Sequence, residues 1–154
     1  MSSLARRAHG ALSQARASVT VFVIACAVEV GLRTMPLPAL ARRIGAPLAV
    51  QDPGQEPPTA PGQPPVKLTP RQRRQVRTAL RMLNRWPFGD TCLRQALVCG
   101  RLLRDLSPAL HVGVAKAEGE VRAHAWLIMG NSILDPIGSA ASYLTLETVP
   151  APLA

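Results

Sequence analysis

The sequence predicts an α+β fold, with helices leading and an antiparallel meander following. Three observations carry this. Apolar residues recur with a helical period between Thr69 and Leu106. After Ser107-Pro108 the period changes to short apolar runs broken by turn residues. A proline-rich stretch over residues 51–65 separates both patterns from an apolar segment near the N-terminus. The chain has 154 residues. That is enough for one domain with a real core, and two would be crowded.

The N-terminal apolar run, Ala17–Leu32, lies between Arg16 and Arg33. With Arg6 and Arg7 upstream it has the positive front end of a signal sequence. A membrane span needs about 20 apolar residues; this run is shorter, contains Glu29, and is followed by no clean small-residue cleavage site. The expectation is a helix packed on the rest of the protein or on a partner, touching a membrane at most peripherally. A second short helix is expected around Pro38–Ile44. Residues 51–65 contain six prolines and two glycines, a composition that forms a linker and not a packed element. The expected organisation is a helical arm over 1–50, a linker over 51–65 and a main domain over 66–154.

The main domain opens on a helix start. Thr69 can cap and Pro70 suits the first helical position. Val76, Ala79, Leu80, Leu83 and Trp86 fall on one side, and Arg73, Arg74, Arg77, Arg81 and Arg85 on the other. Pro87 and Gly89 end the pattern. Asp90 or Thr91 can cap a second helix, Cys92 to Leu106, which is apolar over most of its circumference and so belongs at the centre of the domain. Strands are expected over 109–116, 121–129 and 133–135, with turns at 117–120 and 130–132.

Charge is concentrated. Net charge is +9, and the segment Val66–Leu106 holds ten basic residues against Asp90 and Asp105. Such a field favours an anionic partner, whether nucleic acid, an acidic peptide or protein, or a lipid surface; a solvated helix face explains it equally well. The three cysteines, Cys26, Cys92 and Cys99, are odd in number and irregularly spaced, which argues against a disulfide framework. Nothing has zinc-ligand spacing, so no metal and no cofactor are expected. A reducing, cytoplasmic setting is the default.

Three residues combine into a chemistry. Cys92 lies in the first turn of the central helix, where exposed amides and the helix dipole favour a thiolate, the attacking form of the sulfur. His124 lies in the second strand and Asp135 ends the third. Antiparallel neighbours can bring these side chains together, so that Asp135 holds the imidazole while His124 takes the proton of Cys92. Singly, each has a plain structural reading. Cys99 and Cys26 read as core cysteines, His111 as a structural strand histidine, His9 as a tail residue, and Asp135-Pro136 as a turn signal. Together, in this chain order, they match a transglutaminase-like or papain-like core, with a buried catalytic helix packed on an antiparallel sheet behind a helical arm.

Three segments add a family resemblance: WPFGDTCLRQALVCGRLLRDL, HVGVAKAEGEVRAHAWLIMGN and ILDP. They resemble the leader peptidases of lasso-peptide biosynthesis, a transglutaminase-like family. Cys92, Leu93 and Arg94 match the start of its catalytic helix. Val112, Gly113 and Val114 match its first strand, Ala123, His124, Ala125 and Trp126 its second, and Asp135 its last position. The match covers about residues 84–136, and LPALARRIG in the arm is similar too. Departures occur at Ile128, where the family commonly has an acid, at Glu120-Val121-Arg122, which replaces a usual Pro-Phe, and in a turn one residue shorter before Asp135.

The resemblance implies a cysteine peptidase that removes the leader from a ribosomally made precursor peptide, with Cys92, His124 and Asp135 as its triad. It further implies a stand-alone protease working with a separate leader-recognition protein and a lasso cyclase; nucleic acid is not among the implied partners. From the residues alone two other classes stay open: another transglutaminase-fold amidase or acyl transferase using the same triad, and a non-catalytic basic binding module.

Overall fold

Helix-forming residues run without a proline or a strong cap from the N-terminus to Thr34, and the first helix, α1, spans Ser3–Thr34. The computed structural model describes residues 3–49, 66–117, 120–136 and 144–145, with side chains described over 14–49, 66–113 and 123–136. The expected linker at 51–65, the tip of the turn at 118–119 and most of the segment after Pro136 lie outside the described residues. α1 is longer than the apolar run that announced it. Its portion Gln14–Thr34 is long and apolar enough to cross a membrane by length and composition alone, a test that a packed core helix or a signal sequence also passes. One side of it is nonetheless committed to the protein: Val21, Ala25 and Val28 are buried, as is Glu29.

Pro36 precedes α2, Leu37–Ile44, and Gly45 ends it in the left-handed region at φ 85°. Leu40, Ala41 and Ile44 enter the same core as α1. α3, Pro70–Leu83, starts with a full capping box. Thr69 Oγ1 accepts from the Gln72 amide, and Gln72 returns a side-chain acceptor to the Thr69 amide, a reciprocal arrangement worth about 1 kcal/mol. Val76, Ala79 and Leu83 are buried, while Arg73, Arg74, Arg77, Arg81 and Arg85 are all exposed, as the periodicity required. The helix ends at Leu83, so Trp86 lies beyond it and reaches the apolar face from the following turn.

α4, Cys92–Leu102, is shorter than its pattern, because the chain tightens into a 3-10 turn over Arg104–Leu106. Thr91 is its cap, accepting from the Arg94 amide at 3.4 Å. Asp90 instead bonds a side chain. Its carboxylate accepts from Gln95 Nε2 at 2.7 Å and ties the approach loop to the helix it precedes. Gln95, Ala96, Leu97, Val98, Cys99 and Gly100 are all buried, which makes α4 the central helix. Gly100 allows close approach, since a Cβ there would stand 2.7 Å from that of Ala46.

The strands are β1 Ala109–Ala117, β2 Glu120–Met129, β3 Ser132–Leu134 and β4 Leu144–Thr145, in the sheet order β3-β2-β1-β4. The meander is antiparallel, with Gly113 opposite His124 and Leu127 opposite Leu134. β4 and a parallel bridge between Leu48 and Leu110 were not anticipated. Two residues carry too little pattern to announce a strand. Alternation assigns the two faces of β2. Ala125, Leu127 and Met129 join the helical core, whereas Trp126 and Ile128 form a separate cluster with Ile133 on the other face.

Candidate active site

β3 pairs with β2 only at Leu127–Met129. Upstream of that ladder the start of α4 meets β2 at Ala123. Cys92, the first residue of α4, is half-buried, and its Sγ lies 4.0 Å from the carbonyl oxygen of Ala123, the residue before His124. Helix geometry leaves the first amides of α4 without intrahelical acceptors, so donors cluster around the sulfur.

His124 and Asp135 meet directly. Asp135 Oδ1 is 3.0 Å from His124 Nε2, and both side chains are almost fully buried, at 3% and 5% exposed. Asp135 does not end β3, as the strand pattern had it, but is the first residue after it. That step past Leu134 puts it on the same face as His124, the two strands being joined by the tight turn at Gly130 (φ 58°). A carboxylate accepting from Nε2–H fixes the tautomer and leaves the lone pair on Nδ1.

Trp126 completes the buried face. Its indole stacks on His124 with ring centroids 5.7 Å apart and on His111 at 6.0 Å, at interplanar angles of 23° and 18°. His111 is directly opposite Trp126 in the register. Burial pushes the His111 imidazole down to about 4, so it stays neutral near pH 7. Among the described residues its Nδ1 and the Trp126 Nε1 have no hydrogen-bond partner. Cys99 lies two turns into α4, wholly buried, with its thiol pushed up to about 12 by desolvation. A thiol so held is not a nucleophile. Cys26 is half-buried on α1.

Sequence reasoning missed one feature of the site region. Glu29, read only as an interruption of an apolar run, receives Arg94 Nε at 2.9 Å and Arg94 Nη2 at 3.3 Å, a two-point clasp. Arg33, one turn along α1, adds a contact at 3.0 Å. The hydrogen bond from Arg94 is the main cause that holds the Glu29 carboxyl below the usual range, against the opposing effect of burial. α1 is thereby pinned to α4 two residues after Cys92. The available signal was a lone acid in an apolar helix, which needs a cation wherever it is buried.

Among the described residues no group of three His, Cys, Asp or Glu side chains is placed to hold a metal ion. The arrangement supplies a sulfur at a helix start, an imidazole oriented by a carboxylate just past the adjoining strand, and spare amide donors. Residues 31–148 match the family model of the transglutaminase-like superfamily. No curated protein and no solved structure matches the chain.

Proposed function

The chain belongs to the transglutaminase-like superfamily, which includes cysteine peptidases, and from that premise we propose that it is a leader peptidase acting through Cys92, His124 and Asp135. The observation that best supports this reading is the buried His124–Asp135 pair at 3.0 Å on the strand that meets the Cys92 sulfur at Ala123. In this reading His124 takes the thiol proton and the thiolate attacks the scissile carbonyl. The tetrahedral oxyanion is held by the Cys92 amide. The C–N bond then breaks as His124 returns the proton to the leaving amine. Water, deprotonated by the same imidazole, hydrolyses the thioester and regenerates the thiol. Asp135 orients the imidazole throughout.

The substrate is proposed to be a ribosomally made lasso-peptide precursor, delivered by a leader-recognition protein and passed to a cyclase. This rests on the CLRQ segment that begins at Cys92 and the AHAW segment around His124. The test is to incubate the protein with a candidate lasso-peptide precursor and a leader-recognition protein and to read product masses. Wild-type protein should release an intact leader and core. Cys92→Ala and His124→Ala should each lower the rate by several orders of magnitude, and Asp135→Asn by less. Cys99→Ala should stay active in whatever fraction folds. A Cys92→Ala protein that still cleaves would end the assignment, and transfer of the acyl group to an added amine in place of water would move the protein to the acyl-transferase class.

A further inference from the structure

The arginine face of α3 has no part in the proposed chemistry, yet it borders a cleft. α1 and α3 pack side by side, and two adjoining hollows of 400 and 510 Å³ run along their seam, sharing Gln14, Thr78 and Arg81 as lining. Gln14 Nε2 donates to Thr78 Oγ1 at 3.3 Å across that seam. One hollow is walled by Arg73, Arg77 and Arg81; the other has an apolar floor of Phe22, Met82 and Trp86, with Arg85 at its rim. α3 contains no acidic residue.

We propose that this seam is a docking groove for an acidic peptide segment carrying aliphatic or aromatic anchors. Charge complementarity selects the sign of the occupant. Arg73, Arg77 and Arg81 recur every four residues, a rise of about 6 Å per step. Same-side residues of an extended peptide recur every 6.6 Å or so, so carboxylates at alternate positions can follow the row. The apolar floor accounts for the anchors. Phe22 is 52% exposed beside the row, so an apolar anchor seated there would take aromatic surface out of water. Nucleic acid fits less well. Its bases stack on ring faces, and Trp86, the largest ring of the floor, is half-buried and engaged by Phe22 and Phe88 in edge contacts at 5.8 and 6.2 Å. The groove concerns binding alone and stands whether or not Cys92 reacts.

The test uses the full chain and a fluorescein-labelled 14-residue peptide of alternating Glu and Leu with one central Phe. Its comparators are a Lys/Leu peptide of the same length, a labelled single-stranded DNA of equal charge, and vesicles of phosphatidylcholine and phosphatidylglycerol. Anisotropy should show saturable binding of the acidic peptide that weakens as salt rises. R77E/R81E should raise its Kd about tenfold, the loss of two charge contacts. Phe22→Ala should raise it several-fold, and R42E/R43E, the same charge change on α2, less than twofold. Both arginine pairs are exposed, and circular dichroism checks that each variant is folded. The proposal is overturned if the acidic peptide does not bind, if R42E/R43E weakens it as much as R77E/R81E, or if DNA or the anionic vesicles bind more tightly and lose that binding with R77E/R81E.

Discussion

His111 and His124 are both strand histidines of the same meander, and composition does not separate them. Their neighbours do. His124 meets a carboxylate just past the adjoining strand at 3.0 Å, while the described surroundings of His111 offer the stacked face of Trp126 and no partner for Nδ1. The sequence carried half of this distinction, in the short spacing from His124 to Asp135. It did not carry the other half, because which ring lies opposite Trp126 depends on the register of β1 against β2. The difference has a measurable sign. His111 is neutral in the folded protein down to about pH 4, against an ordinary value of 6.5. Between those values the unfolded chain binds the extra proton, so stability falls as pH drops through 6.5 and levels off near 4. The shift corresponds to a loss on the order of 3 kcal/mol. Thermal melts at pH 7 and pH 4.5 should therefore differ, and His111→Phe, which keeps an aromatic ring against Trp126, should shrink the difference while leaving cleavage intact. An unchanged pH dependence in that variant would show that the acid sensitivity comes from elsewhere.

Elements were most legible where a local signal stood at their start. Thr69-Pro70 and Thr91 are caps, and the helices they open begin where expected. Ends were less legible: α3 stops before Trp86 and α4 gives way to a 3-10 turn, since an apolar period continues wherever a turn happens to point side chains at the same core. How α1 attaches was not legible at all, because Glu29 and Arg94 are separated by 65 residues. Their pair is partly buried, with Glu29 at 8% and Arg94 at 20% side-chain exposure. Removing one member leaves the other unpaired in a partly desolvated place, which costs less than the about 3–5 kcal/mol typical of a fully buried pair, whereas replacing both with apolar groups is often nearly neutral. Glu29→Met and Arg94→Met alone should each destabilise the protein, the latter less because Arg33 remains beside Glu29. The double substitution should recover most of the loss in a chemical-denaturation cycle. Strictly additive losses would mean that the two residues act independently and that the clasp is not what seats α1 on α4.

At the scale of the whole molecule the α+β order, the central position of α4 and the antiparallel meander followed from periodicity, while the role of α1 did not. Its composition fits three fates: a packed helix, a signal sequence and a membrane span. The structure supplies the terms that weigh between the first and the last. Val21, Ala25, Val28 and Glu29 face the protein, and the same core contains Leu40 and Ile44 of α2 with Leu83 of α3 and Leu97 of α4. To cross a bilayer, α1 would have to surrender that packing and carry Glu29 into hydrocarbon without Arg94, a cost of several kcal/mol for the charge alone. Against this, Val19, Val23 and Val30 are more than half exposed along the opposite side, and an apolar stripe on a helix otherwise docked to a domain suits contact with a surface rather than insertion. The expected outcome is peripheral behaviour. Incubated with vesicles or recovered from cells, the protein should leave the membrane pellet on high-salt and carbonate washing. Glu29→Leu, which removes the charge that opposes insertion, should increase the wash-resistant fraction. Retention of the unmodified protein through both washes would mean that α1 leaves the core and anchors, and the packing described for Val21, Ala25 and Val28 would then belong to a different state of the chain.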